Sequence, residues 1–241
     1  MKRIRAGEFL LNLIYPRRCP FCDNVIGFYT RCEHCEPYLK KLWLTVPRLP
    51  MTEHHLEGLS GAASLLRYAD EAQAGILRMK NGGKADYAPL FAAEMARRIF
   101  GCTLAQRGGI IFLEEGPPLK RYDLVVPVPS SPDSDRGYNV PDLLADPLAR
   151  FLELEYAADV LKKIRRTEKQ EGKSAQARLR NVKDAYIVEK PQIVEGKRIL
   201  LVDDVITTGA TVSECAQQLM RAGANEVFAV SVAETQYKGR I

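Results

Sequence analysis

Histidine is scarce in this chain, with three among 241 residues, and tryptophan occurs once. There is no run of ~18 uncharged apolar residues, which excludes a membrane-spanning helix. No Gly-Lys-Ser/Thr step closes a Walker loop and no Gly-x-Gly-x-x-Gly opens a dinucleotide fold, so the two commonest nucleotide cradles are excluded as well. Repeats and low-complexity tracts are also missing. Apolar residues make up 46% and charged residues 27%, which rules out a mostly disordered chain and a collagen-like fibre.

Charge is present but unevenly placed. The formal balance is +5, yet residues 1–50 hold nine Lys/Arg against four Asp/Glu, and the remainder is balanced. A second basic cluster lies inside that balanced part: residues 162–183 carry nine Lys/Arg against Glu168 and Glu171. Such clusters are solvated faces or contacts for polyanions such as nucleic acid and pyrophosphate. Residues 1–15 place an apolar stretch, Phe9 to Ile14, after basic residues. Asn12 interrupts it and no small-x-small cleavage site follows, so it reads as a short amphipathic helix, not an export signal, and the chain is expected to be cytoplasmic.

Four of the six cysteines fall as Cys19-x2-Cys22 and Cys32-x2-Cys35. Two residues between sulfurs allow a tight turn that aims both thiolates at one point, and two facing turns make the tetrahedral cage zinc prefers. Four sulfur ligands leave no open position, so the metal is expected to be structural; two disulfides are the alternative. Arg17, Arg18 and Arg31 stand near to offset the thiolate charge. His34 is expected to face solvent, His54 and His55 to lie at the surface, and Cys102 and Cys215 to be buried apolar residues without a neighbouring base.

Pro47 and Pro50 interrupt a stretch without periodicity, read as a connector, which gives a division into residues 1–57 (helix, four-cysteine module, connector) and 58–241. In the larger part, strands are expected over 61–68, 123–128, 157–164, 185–188, 198–202 and 226–233. Helices are expected over 71–80, 87–100, 140–154 and 211–222. Alternation of this kind predicts an α/β fold, a parallel sheet flanked by helices, whose ligand lies beyond the carboxyl ends of the strands.

At one such end stand Asp203 and Asp204, followed by Val205 and Ile206 and then Thr207-Thr208-Gly209-Ala210-Thr211 leading into a helix. Adjacent carboxylates there suit the vicinal hydroxyls of a ribose and a magnesium ion held through its water shell. The Thr/Gly loop and the positive helix end suit a phosphate dianion.

The block Leu200 to Thr211 resembles the phosphoribosyl pyrophosphate signature of type I phosphoribosyltransferases. With the zinc-ribbon cysteines ahead of it, Leu77-Arg-Met-Lys80 with Gly82-Gly83, Val125 to Pro129, Arg136-Gly-Tyr-Asn139, Arg166-Thr167 with Gln170, and Arg178-x2-Asn181 followed by Ala185-Tyr186, the chain resembles the competence protein F (ComF) family over about residues 10–235. The resemblance implies a type I phosphoribosyltransferase fold after a zinc ribbon, magnesium-dependent use of phosphoribosyl pyrophosphate, and an association with DNA uptake in transformation. It implies that Asp203 and Asp204 are the catalytic pair on the ribose, with Val202 and Val205 beside them. It further implies that Thr207, Thr208, Gly209, Ala210 and Thr211 take the 5′-phosphate, that Val128, Pro129, Ser130 and Arg136 form the pyrophosphate loop, and that residues 162–181 form a mobile cover.

The chain departs from the family where residues 130–135 read Ser-Ser-Pro-Asp-Ser-Asp in place of basic residues, leaving Arg136 as the basic contact there, and where Val140 replaces a glutamine. Three readings therefore stand open. One is a phosphoribosyltransferase whose acceptor the sequence does not identify. Another is a non-catalytic accessory that binds single-stranded DNA or proteins of the uptake machinery through the zinc module and the basic clusters. The third is an adaptor docking other proteins through Trp43 and the amino-terminal helix.

Overall fold

The computed structural model describes residues 13–27, 29, 32–49, 54–81, 83–107, 110–130, 137–167 and 175–235. Five strands, β1 (Gly61–Arg67), β4 (Leu124–Pro127), β5 (Glu155–Tyr156), β8 (Arg198–Ile206) and β9 (Glu226–Glu234), form one sheet in the order β1-β9-β8-β4-β5. Every pairing in it is parallel. Two small antiparallel pairs flank it, β2 (Thr103–Arg107) with β3 (Ile110–Glu115), and β6 (Leu161–Lys163) with β7 (Tyr186–Val188).

The central strand explains the layering. Ile199, Leu200, Leu201 and Val202 are all fully buried, as expected for a strand covered on both faces. Leu200 and Val202 pack toward the helices α2 (Asp70–Asn81), α3 (Ala88–Arg98) and α4 (Val140–Leu152). Ile199 and Leu201 pack on the other face against α7 (Ala210–Arg221), with the short helices α5 (Ala175–Val182) and α6 (Pro191–Val194) nearby in the chain. At the amino edge of the sheet Arg198 grips Asp123 through two hydrogen bonds, 3.0 Å from Nε and 2.6 Å from Nη2. That fork fixes the register between β4 and β8 and holds the Asp123 carboxyl down to about 2.

The remaining helix, α1 (Glu36–Leu42), follows the second cysteine pair directly. Cys19, Phe21, Ile26, Cys35, Leu39 and Leu42 join the same buried cluster as α2 and α3, so the cysteine module shares a core with the larger unit. The connector runs beside β1 instead of through solvent: Leu44 N–H donates to Leu65 O at 3.2 Å, Ser64 N–H to Pro47 O at 2.9 Å and Leu49 N–H to Ala62 O at 2.8 Å.

Several expectations need correction. Residues 103–107 and 110–115 form an antiparallel strand pair and 36–42 a helix where the sequence predicts no element. Of the strand expected over 157–164, only Leu161–Lys163 forms. The cover expected over 162–181 holds that strand at one end and α5 at the other, so it is partly built into regular structure. The amino-terminal amphipathic helix falls almost wholly outside the described residues; its last residues, Leu13 to Tyr15, are exposed. No helix among the described residues is long and apolar enough to cross a membrane.

Candidate functional site

The carboxyl end of β8 gathers the chemistry. Asp203 and Asp204 are both buried there, and the Asp204 backbone N–H donates to Asp203 Oδ1 at 2.8 Å. Strand alternation separates the two side chains. Asp204 turns to the α2 face, where Lys80 Nζ lies 2.9 Å from its Oδ2. Asp203 sits on the α7 side, where Lys163, Tyr186 and Cys215 act on it. The strand end is therefore acidic on both faces, with one lysine serving each.

Electrostatics follow from this burial. Desolvation, then repulsion from Asp204, push the Asp203 carboxyl up to about 7 against the pull of Lys80 and Lys163. Burial alone would depress Lys80, but the Asp204 carboxylate outweighs it and the lysine stays charged, raised above its ordinary value. On the other face Lys163 Nζ lies 5.5 Å from the Tyr186 ring and donates to Thr167 Oγ1 at 2.7 Å. Burial pushes the Tyr186 phenol far up, so it stays neutral.

Lys80 was missed as a functional residue, although Leu77-Arg-Met-Lys80 stood out in the sequence. Its substitution has a direct consequence. Lys80→Met leaves a buried carboxylate without its partner, and with the lysine a quarter exposed the expected loss is about 1–2 kcal/mol in urea unfolding; an unchanged midpoint would show that solvent replaces the lysine.

The loop after β8 is held by contacts from far away in sequence. Gly209, at φ +83°, opens α7 and has no side chain to cap it, which leaves the positive end of the helix dipole facing the strand ends. His55 N–H donates to Thr208 O at 2.8 Å, and Ser213 Oγ donates to His55 O at 2.7 Å. The expectation that both histidines lie at the surface is corrected here. His54 is 4% exposed and pairs with the equally buried Glu234 at 3.3 Å, while His55 is partly buried over the loop. Nothing in the local sequence signals this, because Glu234 is 180 residues away at the end of β9.

On the neighbouring strand, Val128 N–H donates to Val202 O at 2.9 Å, which sets Val128, Pro129 and Ser130 beside the acidic pair. Tyr138 Oη donates to Met79 O at 2.7 Å, and Asn139 Nδ2 donates to Val128 O at 2.9 Å. These two residues bracket the end of α2 against the loop after β4. Arg136 and residues 131–135, the acidic segment, lie outside the described residues, as do Gly82 and residues 168–174.

The cysteine cluster is compatible with a structural zinc. All four sulfurs of Cys19, Cys22, Cys32 and Cys35 lie within 4.8 Å of one another. The Cys19–Cys35 and Cys22–Cys32 separations are 3.8 and 3.7 Å. A tetrahedron with Zn–S arms of ~2.3 Å has edges of about 3.8 Å, whereas a disulfide needs ~2.05 Å, so the pairing alternative is not realised. Burial pushes the Cys19 thiol up, and a divalent ion held by the four sulfurs would favour the thiolate there. Cys102 and Cys215 are buried, and burial raises both thiols, as their apolar reading required.

Comparison with known proteins finds similarity over the segment that holds this site. Residues 143–240 match the family described as phosphoribosyl transferase domain, which spans β8, the acidic pair and the loop. Among curated relatives the chain is 45% identical over 92 residues to the DNA utilization protein YhgH of Escherichia coli O157:H7, covering 38% of this chain and 40% of that protein. It is 37% identical over 113 residues to competence protein F of Haemophilus influenzae, covering 45% and 49%. Residues 143–240 are thus similar to phosphoribosyl transferase domains, and the chain is similar to YhgH of Escherichia coli O157:H7 and to competence protein F of Haemophilus influenzae over less than half the length of either. Adenine phosphoribosyltransferase from Thermoanaerobacter pseudethanolicus aligns over 82% of this chain and 98% of its own, at 16% identity and a TM-score of 0.36.

Proposed function

We propose that this protein binds phosphoribosyl pyrophosphate with magnesium at the carboxyl end of its sheet and serves the handling of incoming DNA in the cytoplasm. The observation that carries the reading is the continuous block of Asp203, Asp204 and the Thr207–Thr211 loop at the end of the central strand, leading into the amino end of a helix. In this reading Asp203 and Asp204 accept hydrogen bonds from the ribose hydroxyls, with Val202 and Val205 walling the sugar. Thr207, Thr208, Gly209, Ala210 and Thr211 take the 5′-phosphate; Val128, Pro129, Ser130 and Arg136 face the pyrophosphate. Lys80 and Lys163 supply cations that the acidic segment after Ser130 does not.

Transfer from this site breaks the bond between the anomeric carbon and pyrophosphate. The acceptor then bonds that carbon and gives up its proton. Bound magnesium would neutralise the departing pyrophosphate. The chain's own residues orient the ribose and hold charge near the leaving group.

The name of the relatives, DNA utilization and competence, supports placing this chemistry, or binding without turnover, alongside DNA uptake. A second reading is favoured by Arg165 and Arg166, exposed on the turn after β6 beside the site. There they suit single-stranded DNA, with the uptake machinery proteins as partners and the cysteine module as a further contact surface.

Calorimetric titration of phosphoribosyl pyrophosphate with magnesium separates the two. The expected result is saturable binding by the wild type that vanishes in Asp203→Asn/Asp204→Asn. A folded, zinc-loaded wild type that does not bind overturns the first reading. Salt-dependent DNA binding that is lost on charge reversal at Arg165 and Arg166 then carries the second.

A further inference from the structure

We propose that the four-cysteine module is the docking plate that sets α2, so that metal held by the cysteines positions Lys80 at the acidic pair. Four contacts join the first cysteine turn to α2 and its neighbours. The Pro20 carbonyl lies so close to Gly75 that a Cβ there would meet the oxygen at 2.7 Å. Arg78 Nη1 donates to Phe21 O, and Tyr87 Oη donates to Asp23 Oδ1. The Phe21 ring packs edge-on against Phe91 at 5.4 Å. All four contacts reach residues 20, 21 and 23, which lie between or beside Cys19 and Cys22, and two of them are to the Pro20 and Phe21 carbonyls; a metal on those two sulfurs would fix this turn.

The helix turns this grip into a position at the site. Gly75 and Arg78 are three residues apart and share one face of α2. Lys80 lies two residues beyond Arg78, about 200° further round at 3.6 residues per turn, and faces the opposite way, onto Asp204. Tyr138 holds the carbonyl of Met79 at the same end. The module therefore grips one side of the last turns while Lys80 acts from the other. About one and a half turns of continuous helix, Gly75 to Lys80, connect the contacts of the cysteine turn to the carboxylate. Lys80 is a positioning partner of Asp204, and the module positions Lys80.

The inference deepens the substrate reading above but is tested separately from it. Amide hydrogen exchange is measured on the full zinc-loaded chain and on Gly75→Ala and Arg78→Met, with β8 as internal reference. Both variants are expected to retain about one zinc per chain and an unchanged β8, while residues 76–81 exchange about tenfold faster. Affinity for magnesium phosphoribosyl pyrophosphate is expected to fall about three- to tenfold in both. Lys80→Met should lose the affinity, and any faster exchange it shows should be shared by α2 and β8, as a global loss of stability requires, and not confined to residues 76–81.

Unchanged exchange across α2 in both variants overturns the coupling, and so does an equal acceleration of α2 and β8, which would mean general destabilisation. If the wild type does not bind phosphoribosyl pyrophosphate, the substrate reading fails, and the exchange comparison alone decides the coupling.

Discussion

Gly209→Ala is expected to cost about 3–5 kcal/mol in urea unfolding, the range in which a single change unfolds a marginal domain. Two penalties add at this position. The residue has φ +83°, a region that L side chains enter at about 1 kcal/mol or more. A Cβ there would also lie 2.1 Å from the His55 carbonyl oxygen. That oxygen cannot simply retreat, because it accepts from Ser213 Oγ while the His55 N–H donates to Thr208 O. Movement of residue 55 would pull on His54, which is buried against Glu234.

Gly196→Ala provides the control. Gly196 has φ +70° and nothing within 4 Å of a built Cβ, so it carries the backbone penalty alone and is expected to lose only about 1 kcal/mol. Equal losses at the two sites would mean that the His55 clamp relaxes freely and does not hold the loop.

The contrast between these glycines marks what could be read from the sequence. The acidic pair, the Thr/Gly loop and the cysteine cage are each complete within a short stretch of chain, the longest being Cys19 to Cys35, and local spacing carries their chemistry. The strands and helices that position them announce themselves by apolar runs and periodicity, from the buried run of β8 to the spacing of Ala72, Ile76 and Met79 on α2. The partners that hold the site together are different. Lys80, Tyr138, Asn139 and His54 make their contacts across the tertiary structure: Lys80 to Asp204, Tyr138 to Met79, Asn139 to Val128, His54 to Glu234. The sheet order β1-β9-β8-β4-β5, which sets the first strand beside the last, brings His54 to Glu234, and the packing of helices and loops on that sheet brings the other pairs together. His54 shows the failure most clearly, since two adjacent histidines in a proline-interrupted stretch look solvated until the connector is seen lying along the sheet.

The second large effect concerns pH. Asp203→Asn is expected to stabilise the protein at pH 8 by about 2–4 kcal/mol, at ~1.4 kcal/mol per pKa unit, and to do progressively less toward pH 4. The Asp203 carboxyl rises to about 7 in the folded chain because burial and Asp204 disfavour its charge. In the unfolded chain it titrates near 4. Below that value both states hold the proton and no difference arises. Between the two values the folded state binds the proton and the unfolded state releases it, so stability falls as pH rises. Above about 7 the full cost of a buried charge is present. Asparagine keeps an oxygen for the Asp204 N–H and carries no charge, so this slope disappears. Urea midpoints of wild type and variant at pH 5 and pH 8 check the prediction, and a difference independent of pH would overturn it. A site that spends stability on an ionised carboxylate regains it when a ligand donates hydroxyls to that group. Phosphoribosyl pyrophosphate with magnesium should therefore raise the wild-type melting temperature more at pH 8 than at pH 5, and the Asp203→Asn variant should lose that pH dependence.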